Sequence, residues 1–243
     1  MTKFELVIPA YNEAKNLESV IRRSIEAAKS NKLSSSEFCL IVVQNGSNDE
    51  SEYTLSKLLQ APDLACWFKV ITVHQNQGYG WGLWQGLAAT RSEIIGWSHA
   101  DQQCDPNDAI SAFRILETMR DQKVLIKGER YKRQLKDRIV SRVFEMLARI
   151  ILGIKVYEMN AQPKVFNRNL LANLKNPPKT FAFDLYVLYR ASKEKYTIRN
   201  IPVDFPPRIH GISKWASNFF GRYKTIFGII GFMLKLRKSE GKA

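Results

Sequence analysis

"FELVIPAYNEAKNLESVIRRSIEAAK", residues 4–29, begins as an apolar run interrupted by Glu5 and then changes to apolar residues at helical spacing. The run at residues 4–9 is typical of a buried strand. Residues 12–29 place apolar or small side chains near every third or fourth position, as a helix with one buried face requires. A short polar loop joins the two parts. This stretch therefore predicts a β-loop-α unit.

The same unit recurs along the first half of the chain. Four further apolar runs, rich in β-branched and aromatic residues, are typical of strands: FCLIVV (38–43), WFKVITV (67–73), SEIIGWS (92–98) and VLIKG (124–128). The segments after the first four strands favour helices, with Asp49 suited to cap one and Pro106 suited to the first turn of another. This alternation predicts an α/β fold, a mostly parallel sheet with helices on both faces.

Charge is distributed unevenly between the two halves of the 243-residue chain. Residues 1–121 carry 11 basic and 15 acidic side chains, a net charge of −4, whereas residues 122–243 carry 26 and 8, a net charge of +18. A nucleic-acid groove, an anionic membrane surface or a phosphate-bearing substrate would each favour such a basic half. A solvated basic surface without a partner is the alternative. We expect one domain over residues 1–218 and a basic amphipathic C-terminal segment over residues 219–243.

The cysteines and the first residues bear on location. Cys39, Cys66 and Cys104 are widely separated and do not form a metal-binding spacing, so we expect free thiols in a reducing compartment. MTKFELVIPA, residues 1–10, enters a strand-like pattern without a leader-like segment. A cytoplasmic location is therefore expected.

Polar loops follow four of the predicted strands: PAYNEAKNL, QNGSND, HQNQGYGWG and HADQQ. Because ligands of parallel α/β sheets bind beyond the carboxyl ends of the strands, these loops predict one shared site. Turns and helix caps are the structural alternative for the first two loops. Gly78, Gly80 and Gly82 match a dinucleotide fingerprint only in part and follow the wrong strand, so we interpret them as close backbone packing beside a ligand, not as NAD binding.

Asp101 is the candidate metal ligand. Mg²⁺ and Mn²⁺ prefer oxygen ligands and often take one or two from the protein while substrate phosphates and water supply the rest. In strand-like geometry, residues two apart point the same way, so His99 and Gln103 are expected beside Asp101. An imidazole ligand favours Mn²⁺ over Mg²⁺. The sequence predicts a divalent-cation site formed by Asp101, Gln103 and His99.

Six motifs, in order, resemble the family 2 glycosyltransferases of GT-A fold, and most closely their dolichyl-phosphate mannosyltransferase and polyprenyl-phosphate glycosyltransferase branch. The motifs are VIPAYNEAKNL, VVQNGSNDES, NQGYGWGLWQGLAAT, HADQQCDP, KGERYKR and VDFPPRIHGISKW. The resemblance implies a Rossmann-like α/β sandwich, with residues 1–121 binding the nucleotide sugar and residues 122–218 on the acceptor side.

The resemblance also implies an activity: transfer of a sugar from a UDP- or GDP-linked donor to a polyprenyl or dolichyl phosphate, with inversion, in cell-envelope glycan or glycolipid synthesis. The implied nucleotide-sugar contacts are Pro9, Tyr11, Glu13, Gln44, Asn45, Gly78, Asp101 and Gln103. The implied phosphate and acceptor contacts are Arg130, Arg133, Arg208, Ser213 and Lys214. The implied catalytic residues are Asp101, Arg130, Arg208 and Asp184.

Departures from the family pattern lie at the donor site. Gln44 and Asn45 stand where the family usually has two aspartates, and His99 stands where it usually has another. An amide oxygen of Gln44 or Asn45 can accept the imide N–H of uracil or guanine in place of a carboxylate. Loss of carboxylates predicts weaker metal binding or a shift toward Mn²⁺. A catalytically degenerate protein that binds nucleotide sugars is therefore an alternative.

The acceptor determines whether a general base is needed. A hydroxyl acceptor must lose its proton, and Asp184 is the candidate base; a polyprenyl phosphate is already ionised and needs none. Residues 226–236 and 142–154 are too short to span a bilayer and suit interfacial helices on an anionic leaflet, which predicts peripheral attachment to the cytoplasmic membrane face. Packing onto the protein's own core or a dimer interface is the alternative for both segments.

Two other classes of protein fit the sequence less well. A nucleotidyltransferase usually carries a glycine-rich basic loop after its first strand, where this chain has PAYNEAKNL. A nucleic-acid binder would explain the basic half, but not the four polar strand ends. No nucleic-acid partner is therefore expected.

Overall fold

The computed structural model describes residues 2–131, 135–207 and 219–240. Within them lie seven strands: β1 Phe4–Ala10, β2 Phe38–Asn45, β3 Phe68–Val73, β4 Ile94–Trp97, β5 Val124–Arg130, β6 Lys164–Asn167 and β7 Thr197–Val203. The same residues form seven α-helices: α1 Ala14–Ser30, α2 Ser51–Leu59, α3 Tyr79–Ala88, α4 Pro106–Glu117, α5 Leu135–Leu152, α6 Phe183–Lys193 and α7 Phe219–Glu240. A 3₁₀ helix, Arg168–Asn173, follows β6.

All seven strands belong to one sheet, in the order β3-β2-β1-β4-β6-β5-β7. The β1–β2, β2–β3, β1–β4 and β5–β7 pairs are parallel. Strand β6 runs antiparallel to both of its neighbours, β4 and β5. The prediction of a mostly parallel sheet is confirmed, and β6 and β7 are strands that the sequence analysis did not predict.

Helices cover both faces of this sheet. Helices α1, α2 and α4 pack on one face in a core that includes Phe4, Leu40 and Phe113. Helices α3, α5, α6 and α7 pack on the other face in a core that includes Val7, Trp97 and Phe166. Burial on both faces explains why β1 and β2 are apolar at most positions, without strand-like alternation.

The helix starts follow the local sequence signals. Pro106 lies in the first turn of α4, and the side chain of Asp105 accepts the backbone N–H of Asn107 at 2.9 Å as its N-cap. The carboxylate of Asp49 accepts the backbone N–H of Ser51 at 3.1 Å, at the first residue of α2. Pro106 matches the expected start of α4, whereas the N-cap position of α2 is Glu50, one residue after the Asp49 that was predicted as its cap.

Helix α7 contributes one face to the main core. Ile229, Met233 and Leu236 are buried there, four and three residues apart, whereas Phe227 and Leu234 are exposed. The segment predicted as an interfacial helix, residues 226–236, therefore packs its inner face on the protein. In the described parts of the chain, no helix combines the length and the apolar character needed to cross a bilayer.

The strand order creates a crevice at the centre of the sheet. The chain winds outward from β1 to β2 and β3 and then returns to place β4 on the other side of β1. The loops after β1 and β4 flank this reversal of strand order, and parallel α/β sheets bind ligands at such a point, beyond the carboxyl ends of their strands. The loop after β1 contains Tyr11 and Glu13, and the loop after β4 contains Asp101.

Candidate functional site

The loop after β4 brings three potential metal ligands together. One ligand atom from each of His99, Asp101 and Cys104 lies within 4.8 Å of the other two. The loop is not extended, because β4 ends at Trp97 and Gln102 has a left-handed backbone with φ of 62°. The expected strand-like alternation over residues 99–103 is therefore wrong, and the turn adds a thiol to the group that the sequence analysis did not predict.

Gln103, the third predicted metal ligand, takes part in other contacts. Its backbone N–H donates to Oδ1 of Asp101 at 3.1 Å, which fixes the direction of the Asp101 carboxylate. Its side-chain amide donates to the carbonyl oxygen of Pro206 at 2.8 Å. Gln103 thus orients Asp101 and ties the loop to the segment that follows β7.

The loops after β1 and β2 are fastened to each other on the other side of the crevice. The backbone N–H of Asn12 donates to Oγ of Ser47 at 3.0 Å, and the backbone N–H of Asn48 donates to Oδ1 of Asn12 at 2.8 Å. The backbone N–H of Ala14 donates to Asp49 at 3.0 Å. Because these bonds cross between loops, the wall of the crevice is organised before any ligand arrives.

The two amides at the end of β2 have different bonding. Oε1 of Gln44 accepts the backbone N–H groups of Gly46 at 2.6 Å and Ser47 at 3.2 Å. The amide nitrogen of Asn45 donates to the carbonyl oxygen of Gly78 at 3.1 Å, but its Oδ1 is buried and accepts no hydrogen bond. The amide oxygens of Gln44 and Asn45 were both predicted as acceptors for the imide N–H of a base. The Gln44 oxygen already accepts two N–H groups of the turn, whereas the Asn45 oxygen accepts none.

Glycines let α3 approach the loop over residues 178–180. A Cβ on Gly78, whose φ is 116°, would lie 2.3 Å from the carbonyl oxygen of Lys179, and a Cβ on Gly80 would lie 2.2 Å from that of Pro178. A Cβ on Gly82 would lie 2.5 Å from the side chain of Asn45. These glycines thus allow close packing against protein. The sequence analysis interpreted them as close backbone packing beside a ligand, and the packing is the part seen here.

Asp184 lies at the first turn of α6, buried beneath the crevice. It forms an ion pair with Lys164 and accepts a hydrogen bond from the side chain of Gln162 at 2.8 Å. Burial alone would raise the pKa of Asp184, but the Lys164 charge and hydrogen bond, with help from His99 and Gln162, bring it below its usual value. A carboxylate with a lowered pKa is a weak proton acceptor.

Tyr79 connects α3 to the loop after β4. Its hydroxyl lies 3.4 Å from Nε2 of His99, and its ring stacks on Phe181 with centroids 5.3 Å apart. Burial, followed by the charge of Asp184, raises the pKa of Tyr79 well above its usual value. The hydroxyl therefore keeps its proton at neutral pH.

Arg130 ends β5 on the acceptor side. Its Nε lies 2.7 Å from the Glu158 carboxylate, and its guanidinium lies 5.1 Å from the ring centre of Phe205. The carboxylate of Glu158 and the ring of Phe205 therefore position the Arg130 guanidinium at the end of β5. Burial, followed by the charge of Asp101, raises the pKa of the Cys104 thiol to about 12.

The remaining predicted residues have different outcomes. Pro9 lies within β1, and Tyr11 and Glu13 lie in the loop after it, where Glu13 accepts the side-chain amide of Asn16 at 2.6 Å. Four predicted phosphate and acceptor residues lie outside the described residues: Arg133, Arg208, Ser213 and Lys214.

Two side chains of the site carried little sequence signal. Cys104 is close to Asp101 in the sequence, but a lone thiol is not a motif. Lys164 lies on β6, a strand of four residues, and its ion pair with Asp184 spans 20 positions. Neither contact follows a helix or strand periodicity.

Comparison with known proteins is consistent with this geometry. A family model described as glycosyl transferase family 2 matches residues 5–198, from β1 into β7. The chain belongs to glycosyl transferase family 2. The matched range includes every described loop of the crevice, and it favours glycosyl transfer over nucleotidyl transfer.

Two curated relatives of this glycosyltransferase have names that include a polyprenol or undecaprenyl phosphate. Polyprenol monophosphomannose synthase of Mycolicibacterium smegmatis is 22% identical over 237 residues, covering 88% of this chain and 81% of the relative. Undecaprenyl-phosphate 4-deoxy-4-formamido-L-arabinose transferase of an Enterobacter species is 30% identical over 108 residues, covering 44% of this chain and 31% of the relative. The chain thus spans most of the first relative and about a third of the second.

Solved structures share the fold. Glucosyl-3-phosphoglycerate synthase of Mycobacterium tuberculosis, crystallised with Mn²⁺, UDP-glucose and phosphoglyceric acid, superposes with a TM-score of 0.70 at 20% identity, covering 97% of this chain and 79% of the other. The same enzyme with Mg²⁺ and UDP gives a TM-score of 0.68 at 20% identity, covering 95% and 80%. The GT-A fold predicted from the motifs is confirmed.

Proposed function

We propose that this chain transfers a sugar from a nucleoside-diphosphate sugar to a polyprenyl phosphate at the cytoplasmic face of a membrane. The observation that carries the proposal is the cluster of His99, Asp101 and Cys104 after β4, the strand beside β1, whose own loop is hydrogen-bonded to the loop after β2. The names of the curated relatives support the lipid-phosphate acceptor.

The donor's nucleotide is assigned to the crevice wall. The loops after β1 and β2 hold their backbone through mutual hydrogen bonds, so little ordering is required when a base and ribose bind. Oδ1 of Asn45, a buried acceptor without a hydrogen bond, is our candidate for the base imide N–H. It lies beside Gly82 of α3, so a base can reach it only if α3 or the Asn45 side chain moves.

The residues of the β4 loop fit a divalent cation. His99, Asp101 and Cys104 offer a nitrogen, an oxygen and a sulfur donor within 4.8 Å of one another. When bound, the cation supplies positive charge to the departing diphosphate. Asp101 is the anionic ligand, and the backbone N–H of Gln103 holds its carboxylate in place. Because imidazole is a softer ligand than carboxylate, His99 favours Mn²⁺ over Mg²⁺, whereas the Cys104 thiol, whose pKa burial raises to about 12, keeps its proton and is a poor ligand.

The acceptor side supports a phosphate more than a hydroxyl. The lowered pKa of Asp184 and its ion pair with Lys164 make it a poor general base. A phosphate oxygen attacks without losing a proton, so it needs no such base. We assign Asp184 the task of holding Lys164 and the floor of the crevice, and Arg130 the task of binding acceptor phosphate through its planar guanidinium.

The test is divalent-dependent binding of nucleotide. Isothermal calorimetry of UDP and GDP, each with and without Mn²⁺, is expected to show binding to one of them that Mn²⁺ strengthens. Asp101→Ala is expected to weaken the Mn²⁺-dependent binding by about tenfold or more, because the anionic ligand is lost. The matched control is Asp63→Ala, an exposed aspartate whose contact is a surface ion pair with Arg22. Equal affinity of the Asp101→Ala variant and the unmodified protein would overturn the assignment.

Turnover separates the active enzyme from a degenerate one. The enzyme is expected to release UDP or GDP from its nucleotide sugar when a short-chain polyprenyl phosphate is added. Binding of nucleotide sugar without release, across donors and with Mn²⁺ present, would identify the degenerate alternative that the His99 and Gln44-Asn45 departures raise.

A further inference from the structure

Helix α5 exposes a continuous apolar stripe, formed by Ile139, Val143, Met146 and Ile150. Their exposed fractions are 55%, 46%, 54% and 64%. The spacing of four, three and four residues places all four side chains on one face of the helix. Contiguous apolar surface of this kind marks an interaction site more often than scattered exposed residues do.

The opposite face of α5 packs against the protein's own core. Ala148 and Leu152 are buried there, and Phe144, Leu147 and Ile151 pack against the same core as partly buried residues. The helix is therefore apolar on two faces, and the core accounts for one of them. The exposed stripe remains available for a partner.

Cations border the stripe. Arg142 and Arg149, both exposed, are seven residues apart and lie along one edge of it. Arg237 of α7 donates to the backbone carbonyl of Ile150 at 3.4 Å, which places a third guanidinium at the end of the stripe. An apolar band with guanidinium groups along its edge complements acyl chains below anionic headgroups.

We propose that the α5 stripe is the surface by which this protein lies on an anionic lipid bilayer. A second copy of the chain fits this face less well. Antiparallel pairing of two stripes would bring Arg142 and Arg149 of both copies to one seam, where like charges repel. The same arginines are favourable at a surface of anionic phospholipid.

The stripe is connected to the proposed acceptor site. Oε1 of Glu145, on the same helix, accepts the backbone N–H of Glu158 at 2.8 Å, and the Glu158 carboxylate pairs with Arg130. Two contacts thus join α5 to the arginine assigned to acceptor phosphate. Here the inference rests on the proposed function: a lipid phosphate leaving the bilayer beside α5 would enter the protein near Arg130.

The experiment is vesicle sedimentation with a double variant. The unmodified protein is expected to sediment with vesicles of phosphatidylcholine and phosphatidylglycerol, and less with phosphatidylcholine alone. Met146→Ser with Ile150→Ser is expected to reduce binding to the anionic vesicles by about tenfold or more, because two exposed apolar side chains no longer enter the bilayer. Arg142→Gln with Arg149→Gln is expected to reduce the preference for phosphatidylglycerol while leaving binding to phosphatidylcholine unchanged.

The matched control changes exposed apolar residues elsewhere. Tyr53 and Leu59 lie on α2, on the other face of the sheet, with exposed fractions of 71% and 39%. Tyr53→Ser with Leu59→Ser is expected to bind vesicles as the unmodified protein does. If the α5 variant also binds as the unmodified protein does, the proposal is overturned.

Two further readouts keep the outcomes distinct. Light scattering after size-exclusion chromatography is expected to give the same oligomeric state for the unmodified protein and the α5 variant. A dimer that becomes monomeric in this variant would assign the stripe to a second copy and overturn the lipid proposal. Calorimetry of nucleotide binding without vesicles is expected to be unchanged in the α5 variant. The proposal for the lipid-binding surface and the proposal for the nucleotide site can thus be disproved independently of each other.

Discussion

Two lysines, Lys127 and Lys164, lie fully buried in the sheet beneath the acceptor side of the crevice. Lys164 is compensated by Asp184, whereas Lys127 donates to the backbone carbonyls of Gly128 at 2.8 Å and Glu158 at 3.3 Å. Burial, assisted by the charge of Lys164, lowers the pKa of Lys127 to about 7. Carbonyl dipoles offset the desolvation of an ammonium group only in part.

The lowered pKa of Lys127 predicts how stability depends on pH. Above pH about 7 the folded chain releases this proton, whereas the unfolded chain keeps it up to its pKa of 10.5. The unfolded state then binds more protons, so the free energy of unfolding rises with pH, by at most about 1.4 kcal/mol per pH unit for one group. Urea denaturation between pH 7 and 8.5 is expected to show a smaller rise for Lys127→Met than for the unmodified protein. Equal slopes would contradict the assignment.

The side chain of His99 determines which divalent cation the site is expected to prefer. Replacing it by aspartate adds a second carboxylate beside Asp101, and Mg²⁺ prefers anionic oxygen to imidazole nitrogen. His99→Asp is expected to tighten Mg²⁺ binding by about tenfold or more and to narrow the difference between Mn²⁺ and Mg²⁺, as measured by direct calorimetric titration of each metal. His74→Asp, at an exposed histidine after β3, is the matched control. A Mg²⁺ affinity that does not change would remove His99 from the ligand set.

Helices α1 and α7 differ in how well the spacing of apolar residues predicts which side chains are buried. The apolar spacing of α1 predicted its buried residues correctly, with Leu17, Val20, Ile21 and Ile25 all in the core. In α7, apolar side chains occur around most of the helix, so the pattern did not indicate which residues face the protein. Only contacts with the core and with α5 identify Ile229, Met233 and Leu236 as the inner face.

Adjacent residues of α7 provide a direct test of its docking. Met233 is fully buried, whereas Leu234 has an exposed fraction of 54%. Met233→Ala is expected to lower the free energy of unfolding by about 2–5 kcal/mol, because a cavity forms in the core. Leu234→Ala is expected to change it by less than about 0.5 kcal/mol. Similar losses for both variants in urea denaturation would mean that α7 does not pack as described.

For the whole molecule, the predictable part of the fold lies where strands are buried on both faces. Strands β1 to β5 were predicted because they are apolar runs between turn signals. Strand β7, TIRNIPV, forms the edge of the sheet with mixed exposure and contains Pro202, and β6 has only four residues. Neither carries a periodic pattern long enough to identify it.

The site was predictable to a similar extent. Loops at the carboxyl ends of parallel strands follow from strand order, and Asp101 follows from its position in one of them. The Asp184–Lys164 ion pair, the approach of Tyr79 to His99 and the addition of Cys104 depend on contacts between distant elements or on the turn at Gln102. Sequence identified the location of the chemistry, and the tertiary structure determined the ligands and charges.

The insertion of β6 between β4 and β5 has a consequence for biosynthesis. A ribosome delivers β1 to β4 first, and the outer edge of β4 has no partner until residues 164–167 emerge, after a delay of several seconds at about 5–20 residues per second. During that interval a nascent chain presents an open row of backbone donors and acceptors. Until β6 is translated, the β4 edge is therefore a site where another chain could pair with the nascent protein.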